Sequence, residues 1–239
     1  MPGLTIDSRE IEIGGDEFHH ITHVMRHSVG ASLLLTSGDG VLADVVVTAI
    51  GRHSLRARVT ATRTHEKSRP RLACAFSLLR GKHDHLIVEK LTELGVSAFY
   101  PFTCEHSVRR PSGNTTARFV TVATAAMKQC DGAFLPLVHD TQPLRQTLDA
   151  IRAAGYTPLV ASETECGSLL PVALGKVTGD MCLVIGPEGG WSEAEREWFE
   201  AEGLHTVSLG NHVLRAETAA IAGAGMVVGA FLSGNSEFY

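Results

Sequence analysis

The residues best placed to do chemistry lie in two glycine-containing segments near the C-terminal end of the chain. The first reads Leu183-Val-Ile-Gly-Pro-Glu-Gly-Gly-Trp-Ser-Glu-Ala-Glu195, and the second reads Val207-Ser-Leu-Gly-Asn-His-Val-Leu-Arg-Ala-Glu-Thr-Ala219. Each predicts a short strand that ends in a glycine loop and leads into a helix. Glycine lets a backbone approach a ligand closely, and open α/β sheets bind ligands at the carboxyl ends of their strands. Two neighbouring strands with such loops predict a shared small-molecule pocket, whereas a lone loop would be explained better as a tight turn.

Polar residues at the predicted helix starts have ordinary structural explanations as well. Ser192 and Glu195 form the S-x-x-E pattern of a helix-capping box. Arg215 and Glu217 lie close together at the start of the second helix, where such a pair is often a surface ion pair and a cap. Neither loop has the G-x-G-x-x-G or Walker pattern, so dinucleotide and ATP binding are poorly supported.

The overall composition predicts a soluble globular protein of one large or two smaller domains. The chain has 239 residues, of which 44% are hydrophobic and 20% charged, and its five cysteines include no C-x-x-C pair. We therefore expect neither a structural zinc site nor a disulfide framework, no signal peptide, and a cytoplasmic location. The most apolar run, Ala219 to Leu232, is too short for a membrane span and predicts a buried helix. Cys130 is expected to be a buried small hydrophobe.

The secondary-structure elements that hold these loops are predicted to form two domains, 1–68 and 69–239. The first is predicted to be a small β-barrel with strands at Ser32 to Thr36, Val41 to Ile50 and Ser54 to Thr62, interrupted by one helix from Asp16 to His27. From residue 71 onward strands and helices alternate, and fully apolar strands such as Met181 to Ile185 indicate a mainly parallel sheet that is covered on both faces.

Charge is unevenly distributed, and one cluster is basic. Residues 151–239 carry 4 basic and 11 acidic side chains. From Arg52 to Arg71 the sequence has seven basic residues and one acidic residue, Glu66. A polyanion-binding surface and a solvated strand edge explain this segment about equally well. His19, His23 and His27 have a spacing that can ligate a metal, but no cysteine or carboxylate partner is evident, so we expect no metal site.

Taken together, the motifs resemble the ribosomal RNA small subunit methyltransferase E family (RsmE), within the SPOUT methyltransferases. The pair I-G-P-E-G-G-x-S-x-x-E and L-G-x-x-x-L-R-x-E-T-A carries the resemblance. Further matches are Glu89-Lys-Leu-Thr-Glu-Leu-Gly-Val96, Lys128-Gln-Cys130 with Pro136, and His19-His-Ile-Thr-His-Val-Met-Arg26 with Gly38-Asp-Gly40. They follow the family's order along nearly the whole chain.

The resemblance implies an N-terminal PUA-like β-barrel that binds RNA and a C-terminal SPOUT α/β domain with a deep trefoil knot around S-adenosylmethionine. It also implies a homodimer that methylates N3 of a uridine in 16S rRNA, as free RNA or in the 30S subunit, with no DNA or membrane partner. The cofactor-binding residues carried over by position are Ile185, Gly186, Pro187, Glu188, Gly189, Gly190, Leu209, Gly210, Leu214 and Arg215.

The roles that follow from the resemblance divide between chemistry and RNA contact. Arg215 is the candidate for stabilising charge on a uracil oxygen, and Glu217 for positioning that arginine or acting as the base. The RNA-binding candidates are Arg26, Arg52, Arg56, Arg58, Arg63, Arg80, Arg109 and Arg110. The chain departs from the family pattern at Asp131-Gly-Ala-Phe134, Lys128, His83 and His212. Two alternatives are therefore a SPOUT methyltransferase for another RNA base and an RNA-binding module without turnover.

Overall fold

The structure is a computed structural model in which residues 4, 5, 7, 9–163 and 168–234 are described, so Cys166 lies outside the described residues. The chain divides into two compact units. The first comprises Met1–Lys67 with Met127–Leu135, and the second comprises Ser68–Ala126 with Pro136–Tyr239.

The described strands of the first unit form one antiparallel sheet in the order β1-β4-β3-β2. Their bounds are β1 (Glu10–Gly14), β2 (Ser32–Thr36), β3 (Val41–Ile50) and β4 (Ser54–Thr64). Alternate residues of these strands are buried, as the period of a half-buried strand requires, and Val45, Leu55 and Ala57 pack in one core with Phe18 and Ile21.

The helix of this unit is shorter and less regular than the sequence predicts. Helix α1 covers Gly15–His19 and continues as a π-helical turn over His20–Val24, and Arg26 then adopts a positive φ of 56°. The predicted helix from Asp16 to His27 is therefore confirmed as far as Val24, in part as a π-helix, and is wrong for its last three residues. Thr22 explains part of this, because its hydroxyl donates to the Phe18 carbonyl at 2.6 Å and competes with regular backbone bonding.

The segment Met127–Leu135 belongs to the first unit although it is distant in sequence. The Thr36 hydroxyl donates to the Gly132 carbonyl at 2.9 Å, and the Gly40 N–H donates to the Ala133 carbonyl at 2.9 Å. Gly40 has a φ of 115°, and a Cβ there would lie 2.9 Å from the Phe134 ring. Gly132, Ala133 and Phe134 therefore hold the strand end at Thr36 and the Gly38–Gly40 turn. Cys130 in this segment is exposed, so its predicted burial is wrong.

The second unit contains a parallel sheet, which the described residues form in the order β10-β12-β9-β11-β5-β6-β7, with β8 also paired to β6. Its strands are β5 (Leu72–Ser77), β6 (Ala98–Thr103), β7 (Leu137–Val138), β8 (Gln142–Pro143), β9 (Thr157–Ala161), β10 (Ser168–Leu169), β11 (Met181–Ile185) and β12 (His205–Ser208). The helices that alternate with them are α2 (His83–Glu93), α3 (Thr115–Gln129), α4 (Leu144–Ala153), α5 (Leu170–Leu174), α6 (Glu193–Ala201) and α7 (Ala216–Gly234).

Helices cover both faces of this sheet, as the apolar strands predict. Cys182 and Val184 of β11 pack in a core that includes Leu148 of α4 and Phe199 of α6. Leu183 points to the other face, where its Cδ2 would lie 2.7 Å from a Cβ on Gly223 of α7. Glycine at this position therefore lets α7 approach β11 closely.

The strands β5 and β11 are tied together at their N-terminal ends by a carboxylate. Asp180 accepts hydrogen bonds from the Arg71 backbone N–H and Nε, each at 2.7 Å. Burial disfavours the charged carboxylate, but the hydrogen bonds and charge of Arg71, with a smaller contribution from Arg69, outweigh this and lower the pKa of Asp180.

Helix α7 is only partly buried, so the prediction of a buried helix is wrong for one of its faces. Ala216, Ala220, Ala224 and Val227 are buried and lie on the side that packs on β5 and β11. Gly225 and its neighbours on the opposite side are exposed. By length and composition alone, the stretch Ala216–Ser233 could cross a membrane. A helix that packs on a sheet can pass the same test, so length and composition are weak evidence for a membrane span here.

Candidate active site

One cavity of about 1070 Å³ lies in the second unit and is formed by the two glycine loops. The first loop connects β11 to α6, and the second connects β12 to α7. All ten residues expected to bind the cofactor line this cavity, together with Glu217. The two segments singled out in the sequence therefore meet in space, at the carboxyl ends of their strands.

The two strands are not neighbours in the sheet, however, and this part of the prediction is wrong. Strand β9 lies between β11 and β12, so its last residue, Ala161, and the residues that follow it, including Glu163, form a third wall. The parallel sheet is the reason, because the carboxyl end of every strand points to the same edge. The alternation of strands and helices in the sequence indicated a parallel sheet, but it did not indicate the order of the strands.

The first glycine loop is held in one shape by its own residues and by β9. Gly190 has a φ of 71° and donates its N–H to the Pro187 carbonyl at 3.0 Å, which closes a turn. The buried Trp191 indole donates to the Ala161 carbonyl at 2.8 Å, and a Cβ on Gly186 would lie 2.8 Å from this ring. The capping box is confirmed, since Ser192 and Glu195 bond to each other's backbone N–H.

The outer side of this loop contacts the segment after β6. His106 Nδ1 lies 3.0 Å from the Gly190 carbonyl oxygen, and the Glu105 N–H donates to Glu195 Oε1 at 3.0 Å. Glu188 faces Arg80 across 3.9 Å, and both side chains are well exposed. The loop is therefore braced on both sides while its own backbone lines the cavity.

The second glycine loop leaves β12 through an unusual backbone conformation. Gly210 has a φ of 143°, and an added Cβ would meet no other residue within 4 Å. The Ser208 hydroxyl donates to the Gly210 carbonyl at 3.1 Å. A side chain at position 210 is therefore opposed by the backbone geometry rather than by neighbouring atoms.

Glu217 contacts a histidine instead of the neighbouring arginine. Its Oε1 lies 3.0 Å from Nδ1 of His83, the first residue of α2, and its side chain is only 11% exposed. Arg215 lines the cavity and is exposed. Among the described residues no ion pair joins Arg215 to Glu217, so the structure gives no contact through which Glu217 positions that arginine.

Several cavity residues were not expected from the sequence. They are His83, Ala161, Ser162, Glu163, Leu169, Trp191, Ser208, Asn211, His212, Val213, Ala216 and Ala219. Those beside the two loops could have been found by extending the loops along the chain. His83 was singled out in the sequence only as a departure from the family pattern, and it reaches the site through the packing of α2 against α7.

The arginines expected to contact RNA lie in different surroundings. Arg56 and Arg58 are exposed on β4, but they pair in register with Glu12 and Glu10 of β1. The cluster between Arg52 and Arg71 is therefore less basic than its sequence suggests. Arg26, Arg52 and Arg110 are exposed as well.

Two further candidates are engaged in ion pairs. Arg63 pairs with Asp44 at 3.2 Å on the surface of the first unit. Arg109 donates to Asp84 Oδ2 at 2.6 Å, and the Asp84 side chain is completely buried. Burial raises the pKa of Asp84 despite the charge of Arg109, so Arg109 has a structural partner that RNA contact would have to share.

The histidines of the first unit do not form a metal site in the described part of the chain. His19 and His23 stack with ring centroids 4.6 Å apart. Within the residues the structure describes, no group of three or more potential metal ligands is present.

Comparison with known proteins assigns the family. A family model described as an RNA methyltransferase domain matches residues 65–228, and one described as an RNA methyltransferase PUA domain matches residues 13–60. The ribosomal RNA small subunit methyltransferase E of Mycobacterium bovis is 32% identical, over 90% of this chain and 84% of its own. The chain belongs to the ribosomal RNA small subunit methyltransferase E family. The family member of Bacillus subtilis is 28% identical, over 87% of this chain and 85% of its own.

A solved structure of the same family supports the fold assignment. The enzyme of Neisseria gonorrhoeae, crystallised with S-adenosyl methionine, superposes with a TM-score of 0.81 at 25% identity, over 93% of this chain and 92% of its own. The N-terminal antiparallel sheet is thus a PUA-like domain, and the parallel sheet belongs to a SPOUT α/β domain. Both parts of the predicted fold class are confirmed, and the trefoil knot stays a prediction.

Proposed function

We propose that the protein transfers a methyl group from S-adenosylmethionine to N3 of a uridine in 16S rRNA. The observation that carries the proposal is the convergence of both family motifs on one cavity, with Arg215 and Glu217 in its lining. Membership of the family supports the reaction class, because the relatives named above are ribosomal RNA methyltransferases.

The chemistry of the cavity suits this cofactor. Among the described residues, three carboxylates, those of Glu163, Glu188 and Glu217, line it together with one guanidinium, that of Arg215. A surplus of negative charge stabilises a sulfonium cation, whereas it would repel a phosphate-bearing cofactor. The glycine loops expose backbone N–H and carbonyl groups that can bond the adenine and ribose edges. When bound, S-adenosylmethionine supplies the electrophilic methyl group, and the protein supplies binding and orientation.

The acceptor atom sets a second requirement. Uracil N3 is an imide nitrogen that attacks well only after its proton has left, and the resulting negative charge spreads onto the carbonyl oxygens. Arg215 is exposed at the cavity edge, and a guanidinium there stabilises this charge through directed hydrogen bonds. Glu217 lines the same cavity and is the second residue proposed to take part in the reaction.

RNA binding is assigned to both units. The PUA-like domain contributes Arg26, Arg52, Arg56, Arg58 and Arg63, and the second unit contributes Arg80, Arg109 and Arg110. Their contacts are made to phosphates, so they set affinity and its salt dependence rather than the identity of the base. Either free 16S rRNA or the assembled 30S subunit is the substrate, and the reaction takes place in the cytoplasm.

The active form is proposed to be a homodimer, with the exposed side of α7 in the interface. Gly225 and Gly229 lie on this side, and a Cβ on either would meet no atom of the chain within 4 Å. Met226 beside them is 37% exposed. A stripe of glycine and apolar residues allows two helices to pack closely. We also propose that the domain boundary lies between residues 68 and 69 and that the backbone of the second domain forms a trefoil knot.

Methyl transfer to purified RNA tests the function directly. The protein is incubated with S-adenosylmethionine labelled in the methyl group and with either free 16S rRNA or 30S subunits from a strain that lacks the gene. Mass spectrometry of the digested RNA then identifies the modified base. We expect 3-methyluridine at one position.

Arginine variants connect the activity to the cavity. Arg215→Ala should lower the single-turnover rate by about 10²-fold or more, as loss of a positioned charge-stabilising donor does, with RNA affinity retained. Arg152→Ala is the matched control, because Arg152 does not line the cavity and forms an exposed ion pair with Glu202 at 3.1 Å, a kind of contact that contributes little. Wild-type protein that binds RNA and cofactor but never transfers methyl would instead be an RNA-binding module, and methylation of another base would exclude the N3 assignment.

A further inference from the structure

His83 and Glu217 form a pair at the wall of the cavity that the proposed reaction does not yet use. Nδ1 of His83 lies 3.0 Å from Glu217 Oε1, and both residues line the cavity. The Glu217 side chain is 11% exposed and that of His83 is 44% exposed. One member of the pair is therefore fixed within the protein, and the other reaches solvent.

The contact determines which nitrogen of His83 carries a proton. A carboxylate oxygen is an acceptor, so Nδ1 must be the donor, and the neutral imidazole then has an unprotonated Nε2. Among the described residues no hydrogen-bond partner is recorded for Nε2. A histidine held by a carboxylate through one nitrogen, with its other nitrogen free, is arranged to accept a proton.

We propose that His83 is the general base of the methyl transfer and that Glu217 is its positioning residue. This inference rests on the proposed function. Nε2 of His83 takes the N3 proton of the uracil, the N3 electron pair forms the bond to the methyl carbon, and the carbon–sulfur bond breaks with its electrons on sulfur. The imidazolium is stabilised by Glu217 and returns its proton to solvent through the exposed side of the ring.

The charged surroundings of His83 come from three parts of the fold. Lys82 precedes it, and Asp84, which follows it, is paired with Arg109. Glu217 and Arg215 come from the start of α7, and Glu188, Glu163 and His212 line the same cavity. His212 is the other imidazole of the cavity among the described residues, so the matched control is His205, an exposed imidazole at the start of β12 that does not line this cavity.

The tautomer of His83 can be measured without RNA or cofactor. Long-range ¹H–¹⁵N NMR of the histidine rings should show His83 with a proton on Nδ1 and not on Nε2 at a pH where the ring is neutral. Glu217→Ala removes the acceptor and should give a mixture of both tautomers, and a ring that kept its proton on Nδ1 in this variant would show that Glu217 does not position it. A wild-type ring with its proton on Nε2 would overturn the proposal.

Substitution by arginine separates a base from a simple cation. His83→Arg retains positive charge but cannot accept a proton at neutral pH, so its single-turnover rate should fall by about 10²-fold or more. Its affinity for S-adenosylmethionine and RNA should stay within about threefold of the wild type. His83→Gln should be equally slow and lose the rise in rate with pH that an imidazole base produces, whereas His205→Gln should keep that rise.

Two results overturn different claims. Wild-type rates in His83→Arg or His83→Gln would show that the position does not remove the proton, and the proposed function would stand. Absence of N3 methylation by the wild-type protein would overturn the proposed function and the base role with it.

Discussion

Gly190 is the position at which one added methyl group tests the shape of the first glycine loop. Its φ of 71° lies in the left-handed region, and an added Cβ would lie 2.5 Å from Glu163 Oε1. The Glu163 side chain is exposed, so its carboxylate can move aside at little cost. The left-handed backbone is a larger obstacle, because it costs a residue with a Cβ about 1–2 kcal/mol.

This cost must appear in one of two measurements. If the loop of Gly190→Ala keeps its shape, the free energy of unfolding falls by about 1–2 kcal/mol, and the melting temperature falls by about 2–4 °C for each kcal/mol. If the loop relaxes instead, S-adenosylmethionine must restore its shape on binding, and 1.4 kcal/mol corresponds to a tenfold loss of affinity. The sum of the two losses should therefore be about 1–2 kcal/mol.

Calorimetric titration with S-adenosylmethionine and thermal unfolding of the same samples measure both quantities. Gly175→Ala is the matched control: Gly175 does not line the cavity, its φ is −71°, and its Cβ would lie 3.5 Å from the Val172 carbonyl oxygen, which is an ordinary contact. It should stay close to the wild type in both assays. Unchanged stability and affinity in Gly190→Ala, or equal damage in Gly175→Ala, would refute the reasoning.

Three other predictions concern stability, assembly and RNA. Asp180→Asn should lower the free energy of unfolding by about 1–3 kcal/mol at pH 7. Because the folded pKa of Asp180 is lowered, this difference should be complete above about pH 4 and should shrink as the pH falls further. A pH-independent difference in chemical denaturation would contradict this prediction. Gly225→Leu should give monomers with weaker cofactor binding, and an unchanged dimer in analytical ultracentrifugation would remove α7 from the interface. Joint replacement of Arg56, Arg58 and Arg63 by alanine should weaken RNA binding and reduce its salt dependence. An unchanged slope of affinity against salt concentration would exclude these arginines from the RNA contact.

The sequence predicted the local elements well where the pattern was strong. The strands Ser32–Thr36, Val41–Ile50 and Met181–Ile185 have the expected bounds, because β-branched and apolar runs between turn residues leave little choice of structure. Prediction was weaker where tertiary contacts or side-chain hydrogen bonds compete with propensity. The irregular helix around Thr22 and the short strands β7, β8 and β10 are such cases, and none of the latter three was foreseen.

Charge and burial depended on pairings that are distant in sequence. The basic character between Arg52 and Arg71 is reduced by Glu10 and Glu12, which reach Arg58 and Arg56 only through the register of β1 with β4. Likewise, the exposed face of α7 looked like core because composition reports how apolar a helix is, and not how much of it a single sheet can cover.

The sequence by itself determined the two glycine loops, their chemistry and the family, since these depend on residue types at fixed spacing. The tertiary structure decided that β9 separates β11 from β12 and contributes a third wall to the cavity. It also decided that Glu217 faces His83 instead of Arg215. The physical reason is that strand order and helix packing join residues far apart in the chain, and no local pattern records which of them will meet.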